Sequence, residues 1–236
     1  MTWRARLGLI VPSWNTVMEY ETLRLLPPGV SVHVTRIPHT ADTEERLRHM
    51  VDLLPAAAEL LAHARVSALC FGCTASGFIQ EDAGADARLA AAVAAQTGIP
   101  TVTTSQALVE ALRHLGARRV AVASPYEPWL NDYLKRYLER SGFAVTGIAG
   151  FGTQEHARCS PEETIGLARR VVTPEAEAVL ISCTNFRTLE IIDRLERDTG
   201  RPVVTSTQAS LWRLLGLAGV GDPIPGAGRL LDETRT

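Results

Sequence analysis

Two short stretches hold the residues best suited to chemistry, "FGCTASG" (71–77) and "SCTNFRT" (182–188). Each sets a cysteine, Cys73 or Cys183, after a short apolar run and before small polar residues. Thiols placed this way admit four readings. Packing is the plainest, since free cysteine is among the most buried residue types. It suits Cys70, inside the apolar run "VSALC", better than it suits the pair, while Cys159 in "EHARCSPE" reads as a loop residue. A zinc site is the second reading. Cys70 and Cys73 have the spacing, and Cys159 and Cys183 would complete four ligands, but no second Cys-x-x-C is present and the six histidines show no clustered spacing. A redox Cys-x-x-C is the third, and it normally opens a helix, whereas this one closes a strand. The fourth is a catalytic pair. One thiolate attacks or deprotonates a carbon from one face, and the second thiol delivers or receives a proton from the other. Backbone N–H groups and hydroxyls of "CTAS" and "CTN" would hold a carboxylate and any enediolate charge. The first turn of the next helix is expected to favour the thiolate at each cysteine.

The elements that must position these sulfurs follow from the apolar periodicity. Strands are expected at 7–11, 30–36, 66–70, 100–103, 119–124, 144–150, 178–182 and 202–206, and helices near 16–26, 43–64, 85–97, 105–115, 128–141, 161–171, 186–198 and 207–217. Pro55 is expected to break or restart the helix over 43–64. Alternation of strand and helix implies parallel sheets covered on both faces, with ligands bound beyond the carboxyl ends of the strands. The chain also repeats itself. "ALCFGCTASGF" (68–78) precedes "TGIPTVTTSQALVEAL" (97–112), as "AVLISCTNFRT" (178–188) precedes "TGRPVVTSTQASLWRL" (199–214). Cys73 thereby matches Cys183, Thr74 matches Thr184, and Gln106 matches Gln208. A unit this long indicates a duplicated lobe rather than a solenoid.

Composition narrows the function. The 236 residues are 46% hydrophobic with a net charge of −2, enough for a real core and without the basic footprint of a nucleic-acid binder. The only lysine, Lys135, lies in a polar helical stretch and reads as solvated. No run approaches the ~20 apolar residues of a membrane span, and the apolar run in "MTWRARLGLIVP" stops at Pro12, short of a signal sequence. The expectation is a cytoplasmic protein with reduced thiols. There is no Gly-rich phosphate loop, "GAGR" lacking its strand and helix, and the tail from Asp222 is expected to be irregular and mobile.

With "GLIVPSWNT", "FGCTASG", "ASPYEPWLN" and "SCTNFRT" in order at strand ends, the chain resembles the aspartate/glutamate racemase superfamily. More closely it resembles the branch of maleate cis-trans isomerases and arylmalonate decarboxylases. The resemblance covers nearly the whole chain. It implies two similar α/β lobes related by a pseudo-twofold axis, each with a four-stranded parallel sheet flanked by helices, and an active site in the cleft between them. The last helix would cross back, giving a first lobe of 1–104 plus 207–236 and a second of 105–206. By position, Cys73 resembles the nucleophile and Cys183 the proton donor and acceptor. Asn15 and Tyr126 match residues that hold a substrate carboxylate, and Thr74, Ser76, Thr184 and Asn185 stand where further donors are expected. Asn15 also reads as a helix cap, with Thr16 and Glu19 able to form a capping box.

The departures bear on the substrate. Amino-acid racemases of the superfamily usually carry a histidine after the second Cys-Thr, where this chain has Asn185. Arylmalonate decarboxylases keep only the second cysteine, with glycine at the position of Cys73. The isomerase also uses an asparagine in the loop after the sixth strand. "GFGTQEHARCSPE" has none, leaving Thr153, Gln154 or His156 to substitute, and Trp14 is bulky where the family is often small. The function expected is cis-trans isomerisation of a small unsaturated dicarboxylate of the maleate type, with no metal and no cofactor. The alternatives are a cofactor-independent racemase or decarboxylase of the same superfamily, or a non-catalytic protein that binds a small carboxylate. Partners are limited to that small molecule, with no nucleic acid and no membrane, and self-association into a homo-oligomer is left open.

Overall fold

Residues 3–80, 82 and 84–232 are described by the structure, a computed structural model. The first lobe contains β1 (Ala5–Pro12), α1 (Met18–Leu25), β2 (Val30–Ile37), α2 (Glu44–His63), β3 (Ala68–Phe71), α3 (Thr74–Phe78), α4 (Ala85–Thr97) and β4 (Thr101–Thr103). After α5 (Thr104–His114) come β5 (Arg119–Ser124), α6 (Pro128–Arg140), β6 (Ala144–Gly150), α7 (Pro161–Val171), β7 (Ala178–Ile181), α8 (Ile192–Thr199) and β8 (Val203–Thr205). The chain closes with α9 (Ser206–Leu217) and α10 (Arg229–Asp232). Both sheets are parallel and have the same order, β2-β1-β3-β4 and β6-β5-β7-β8.

The inner strands read as continuous apolar runs because both of their faces are covered. β3 (ALCF) and β7 (AVLI) are buried throughout. Each Leu, Val or Ile so placed contributes about 1.5–3 kcal/mol over the exposed state. Register repeats as well: Phe71 pairs with Thr103 and Ile181 with Thr205. Each of those threonines then caps the helix that follows, its side chain accepting an N–H three residues on while a glutamine reaches back. The boxes are Thr103 with Gln106 and Thr205 with Gln208. Helices α5 and α9 pack on one another between the sheets, and α9 also lies against β3 and β4.

Three expectations change. Pro55 sits inside an unbroken α2, because one missing hydrogen bond is outweighed by a buried stripe of Leu47, Met50, Leu54, Ala57, Ala58 and Leu61. No helix follows Cys183 directly: residues 184–188 form a turn, 189–191 a single 3₁₀ turn, and α8 begins at Ile192. The short α3, by contrast, starts immediately after Cys73. The tail is irregular as far as Gly228, as expected, but it is packed rather than mobile over its described part and ends in α10. Ala227, Leu230 and Leu231 are buried, Gln208 Nε2 donates to the Ala227 carbonyl at 2.6 Å, and Asp222 pairs with Arg4. Among the described residues no helix is long and apolar enough to cross a membrane.

Candidate active site

The carboxyl ends of six strands converge on one pocket between the lobes. It is lined by Trp14 and Asn15 after β1, His39 and Asp42 after β2, Cys73 and Thr74 after β3, Tyr126 after β5, His156 after β6, and Cys183, Thr184 and Asn185 after β7. Matched strands of the two sheets thus supply matched loops. The free space is about 20 Å³, room for a single water. A larger cavity of about 270 Å³, lined by Asp86, Gln106, Arg113 and Tyr137, offers no thiol or imidazole.

Both sulfurs are nearly closed off from solvent. Cys73 is the N-cap residue of α3 and donates its thiol proton to Ser76 Oγ at 3.2 Å. Cys183 has a φ of 115°, a region that non-glycine residues enter only under constraint. Three contacts impose it: the Cys183 N–H donates to Ser206 Oγ at 2.9 Å, the Asn185 N–H donates to Cys183 Sγ at 3.3 Å, and His156 Nδ1 lies 3.5 Å from the same sulfur. The expected thiolate preference is reversed. Burial pushes the Cys73 thiol up to about 11, against the hydrogen bonds from Ser76 and Ala75 that lower it. Burial and then Asp42 raise Cys183 well above the ordinary thiol value. A helix of five residues and one N–H contact do not offset desolvation in a closed pocket. Cys70 points away from the pocket, within reach of Thr104, and Cys159 sits half-exposed in the loop before α7.

The remaining sequence-derived residues are gathered here, several of them already committed to one another. Asn15 Oδ1 accepts the Val17 and Met18 N–H groups and so braces the entry to α1, although the N-cap residue is Val17 and not Asn15. The Thr16–Glu19 capping box does not form, because the Thr16 N–H goes to Asn185 Oδ1 and Glu19 pairs with Arg36. Asn15 Nδ2 crosses the cleft to Thr184 Oγ1 at 3.0 Å, and Thr184 donates back to the Gly72 carbonyl at 2.9 Å. Thr74 donates across the cleft to Ser206 Oγ. Ser76 stands behind Cys73, against Met50 Sδ, and is not on the pocket wall. Tyr126 is buried and its hydroxyl accepts from Ser182 at 3.5 Å. Burial keeps it a neutral phenol, and its position favours an ionised Cys183.

Two residues missed in the sequence, His39 and Asp42, complete the pocket beside His156 and Trp14. His39 Nε2 lies 2.8 Å from Asp42 Oδ1, and His156 Nε2 lies 3.4 Å from Asp42 Oδ2. The Trp14 ring meets both imidazoles edge-on, at 5.0 Å and 5.5 Å between centroids. His156 therefore occupies the loop where an asparagine was expected. Gln154 instead accepts the Asp42 N–H at 2.8 Å and joins the two loops. Burial holds the His156 imidazole below its ordinary value, opposed by the Asp42 carboxylate. His39 Nδ1 is buried without a partner. "RIPHTAD" carried one usable signal, a His-x-x-Asp just past a strand's carboxyl end. The long sequence separation of residues 39 and 156 hid the cluster. Among the described residues no group of three or more His, Cys, Asp or Glu side chains is arranged to hold a metal ion.

Known proteins resemble this chain over most of its length. The family model described as arylmalonate decarboxylase matches residues 7–231. Maleate isomerase of Nocardia farcinica (strain IFM 10152) is 32% identical over 249 residues, spanning 97% of this chain and 96% of its own. Arylmalonate decarboxylase of Bordetella bronchiseptica is 36% identical over 155 residues, spanning 63% of this chain and 65% of its own. Among solved structures, a cysteine-to-serine mutant of the Nocardia farcinica maleate cis-trans isomerase with a covalently bound succinylcysteine intermediate superposes with a TM-score of 0.93. The two are 28% identical, and the match covers 97% of this chain and 98% of that one.

Proposed function

Because the chain belongs to the arylmalonate decarboxylase family, we propose that it is a cis-trans isomerase of a small unsaturated dicarboxylate, of the maleate-to-fumarate kind, working without a cofactor. One observation carries the reading: two matched cysteines face a single pocket from opposite lobes. Cys73, absent from the decarboxylase pattern, is what turns the choice towards isomerisation. The similarity to maleate isomerases, one of them seen with a succinylcysteine intermediate, supports it.

The Cys73 thiol first passes its proton to a base lining the pocket. Its thiolate then attacks one alkene carbon, forming a C–S bond, and the π electrons move onto the neighbouring carbon, where the adjacent carboxylate spreads the charge. Cys183 gives its S–H proton to that carbon. The former double bond is now single and rotates. Cys183 as thiolate then removes a proton from that carbon, the C=C bond re-forms, and the C–S bond breaks to release the trans product. Tyr126, Asn15 and the backbone around Thr74 and Thr184 are the donors placed to hold the carboxylates. A carboxylate that takes the Asn15 amide must displace Thr184 from it.

Incubation of the purified protein with maleate, followed by proton NMR of the vinyl region, tests the proposal. Fumarate should accumulate without added metal or cofactor, and Cys73→Ser should reduce the rate by about a thousand-fold or more. Carbon dioxide release from a disubstituted malonate, or racemisation of an amino acid, with no fumarate from maleate would replace this reading.

A further inference from the structure

The pocket contains two thiols that keep their protons when closed, so its chemistry needs an internal proton acceptor. The loops after the edge strands β2 and β6 supply one. His156 Nδ1 lies 3.5 Å from Cys183 Sγ, and Nε2 on the opposite side of the same ring lies 3.4 Å from Asp42 Oδ2. Asp42 Oδ1 is 2.8 Å from His39 Nε2, and Gln154 fixes the Asp42 backbone from the facing loop. Cys183, His156, Asp42 and His39 therefore form a continuous chain, buried at every member. An imidazole whose Nε2–H points at a carboxylate has its Nδ1 lone pair free to accept from a thiol.

We propose that His156, oriented by Asp42, is the proton-holding partner of Cys183: its Nδ1 accepts the Cys183 S–H hydrogen bond at rest and takes that proton when the sulfur ionises. In that step the S–H bond breaks, an N–H bond forms at Nδ1, and the electron pair stays on sulfur. The Asp42 carboxylate faces the new imidazolium, and the reverse transfer restores the thiol, so nothing external is consumed. Asp42, the third member of the chain, also lines a separate, open groove with Glu127, Trp129 and Gln154. The ionisable groups facing His156 are Asp42 and His39 from the first lobe, Tyr126 and Glu127 at the start of α6, and Cys183. Only the carboxylates and the thiolate favour its protonated form, and Asp42 is the carboxylate in contact. The proposal concerns the free protein and stands apart from the isomerase reading, so a chain that turns over no maleate tests it equally well.

Two measurements test it. In the first, each cysteine's iodoacetamide labelling is followed against pH by peptide mapping, in the wild type, His156→Asn and His156→Gln, since the Asp42 carboxylate also raises the Cys183 thiol directly. Both substitutions should move the apparent pKa of Cys183 upward by about one unit or more, a ten-fold slower labelling near neutral pH. Cys159 should be unaffected, and unlabelled Cys70, which is fully buried, certifies that each variant is folded. A Cys183 profile unchanged in the folded variants overturns the proposal. The second starts from the unsubstituted protein. Nitrogen NMR of the histidine-labelled wild type should show His156 neutral with its proton on Nε2, and Cys183→Ala should shift the Nδ1 resonance. A proton on Nδ1 overturns the proposal even where the variants do not fold.

Discussion

Cys183 keeps its sulfur in the pocket through a backbone conformation that costs about 1–3 kcal/mol for a residue with a side chain, and contacts from Ser206, Asn185 and His156 hold it there. Cys73 needs no such strain, because the chain passes from β3 straight into α3. The two sulfurs are therefore matched in position but not in environment, which suits one to attack and the other to proton transfer. Their ionisation follows from burial. A thiol pushed up to about 11 is protonated below that value, so Cys73 labelling in the free protein should rise ten-fold per pH unit. At pH 8 its rate should be roughly a thousandth of its plateau, three units below 11. A plateau already reached at pH 8 would show that the closed pocket does not govern the thiol. The cysteines were legible in the sequence because they repeat within matched motifs. Their high pKa was not, since it depends on how tightly the lobes close. His39 and Asp42 were not legible either, because their partner His156 lies in the other lobe.

At the scale of elements, the duplication makes quantitative claims. Thr103 and Thr205 each cap a helix through the same box, so Thr103→Ala and Thr205→Ala should each cost about 1 kcal/mol by urea denaturation. One loss several-fold larger than the other would show that the two lobes no longer use the motif alike. A second element-level tie joins the lobes. Glu21 of α1 is buried and accepts the Thr188 N–H at 2.6 Å, the Leu189 N–H at 2.8 Å and the Thr188 hydroxyl at 3.2 Å. It thereby closes the turn after β7 that carries Cys183. Glu21→Ala should destabilise the protein by roughly 3 kcal/mol, because buried donors lose their acceptor, and Glu21→Gln should recover part of that. An unchanged urea midpoint in Glu21→Ala would remove this tie from the account. Strand positions were readable from short apolar runs bounded by Gly and Pro. The turn after Cys183 was not, because "FRTLEIIDRLERDTG" has a helical pattern throughout, whereas the 3₁₀ turn before α8 is held by contacts from the distant Glu21.

For the molecule as a whole, the question is how a substrate enters a pocket with room for one water. The loops over it come one from each lobe, and Gln154 joins them. Its Oε1 accepts the Asp42 N–H at 2.8 Å, and its Nε2 donates to the Asp42 carbonyl and to Glu127. An open groove of about 610 Å³ lined by Asp42, Glu127, Trp129, Tyr133 and Gln154 lies beside this clasp and gives access to it. Gln154→Ala should speed labelling of both Cys73 and Cys183 several-fold at fixed pH and raise KM, with little change in thermal midpoint. Equal acceleration of both sulfurs matters, because a local defect would expose only one. Unaltered labelling would mean that the lobes open elsewhere. The two-lobe architecture was legible from the repeat, whereas the clasp depends on a contact between residues 42 and 154 that no local pattern signals.

The central claim is that two cysteines divide one reaction, with Cys73 forming the covalent bond and Cys183 moving the proton. Intact-mass spectrometry of Cys183→Ser incubated with maleate tests it most directly. The account predicts protein heavier by one substrate, with peptide mapping placing the adduct on Cys73. An adduct on Cys183 in Cys73→Ser, with none on Cys73 in Cys183→Ser, would contradict it.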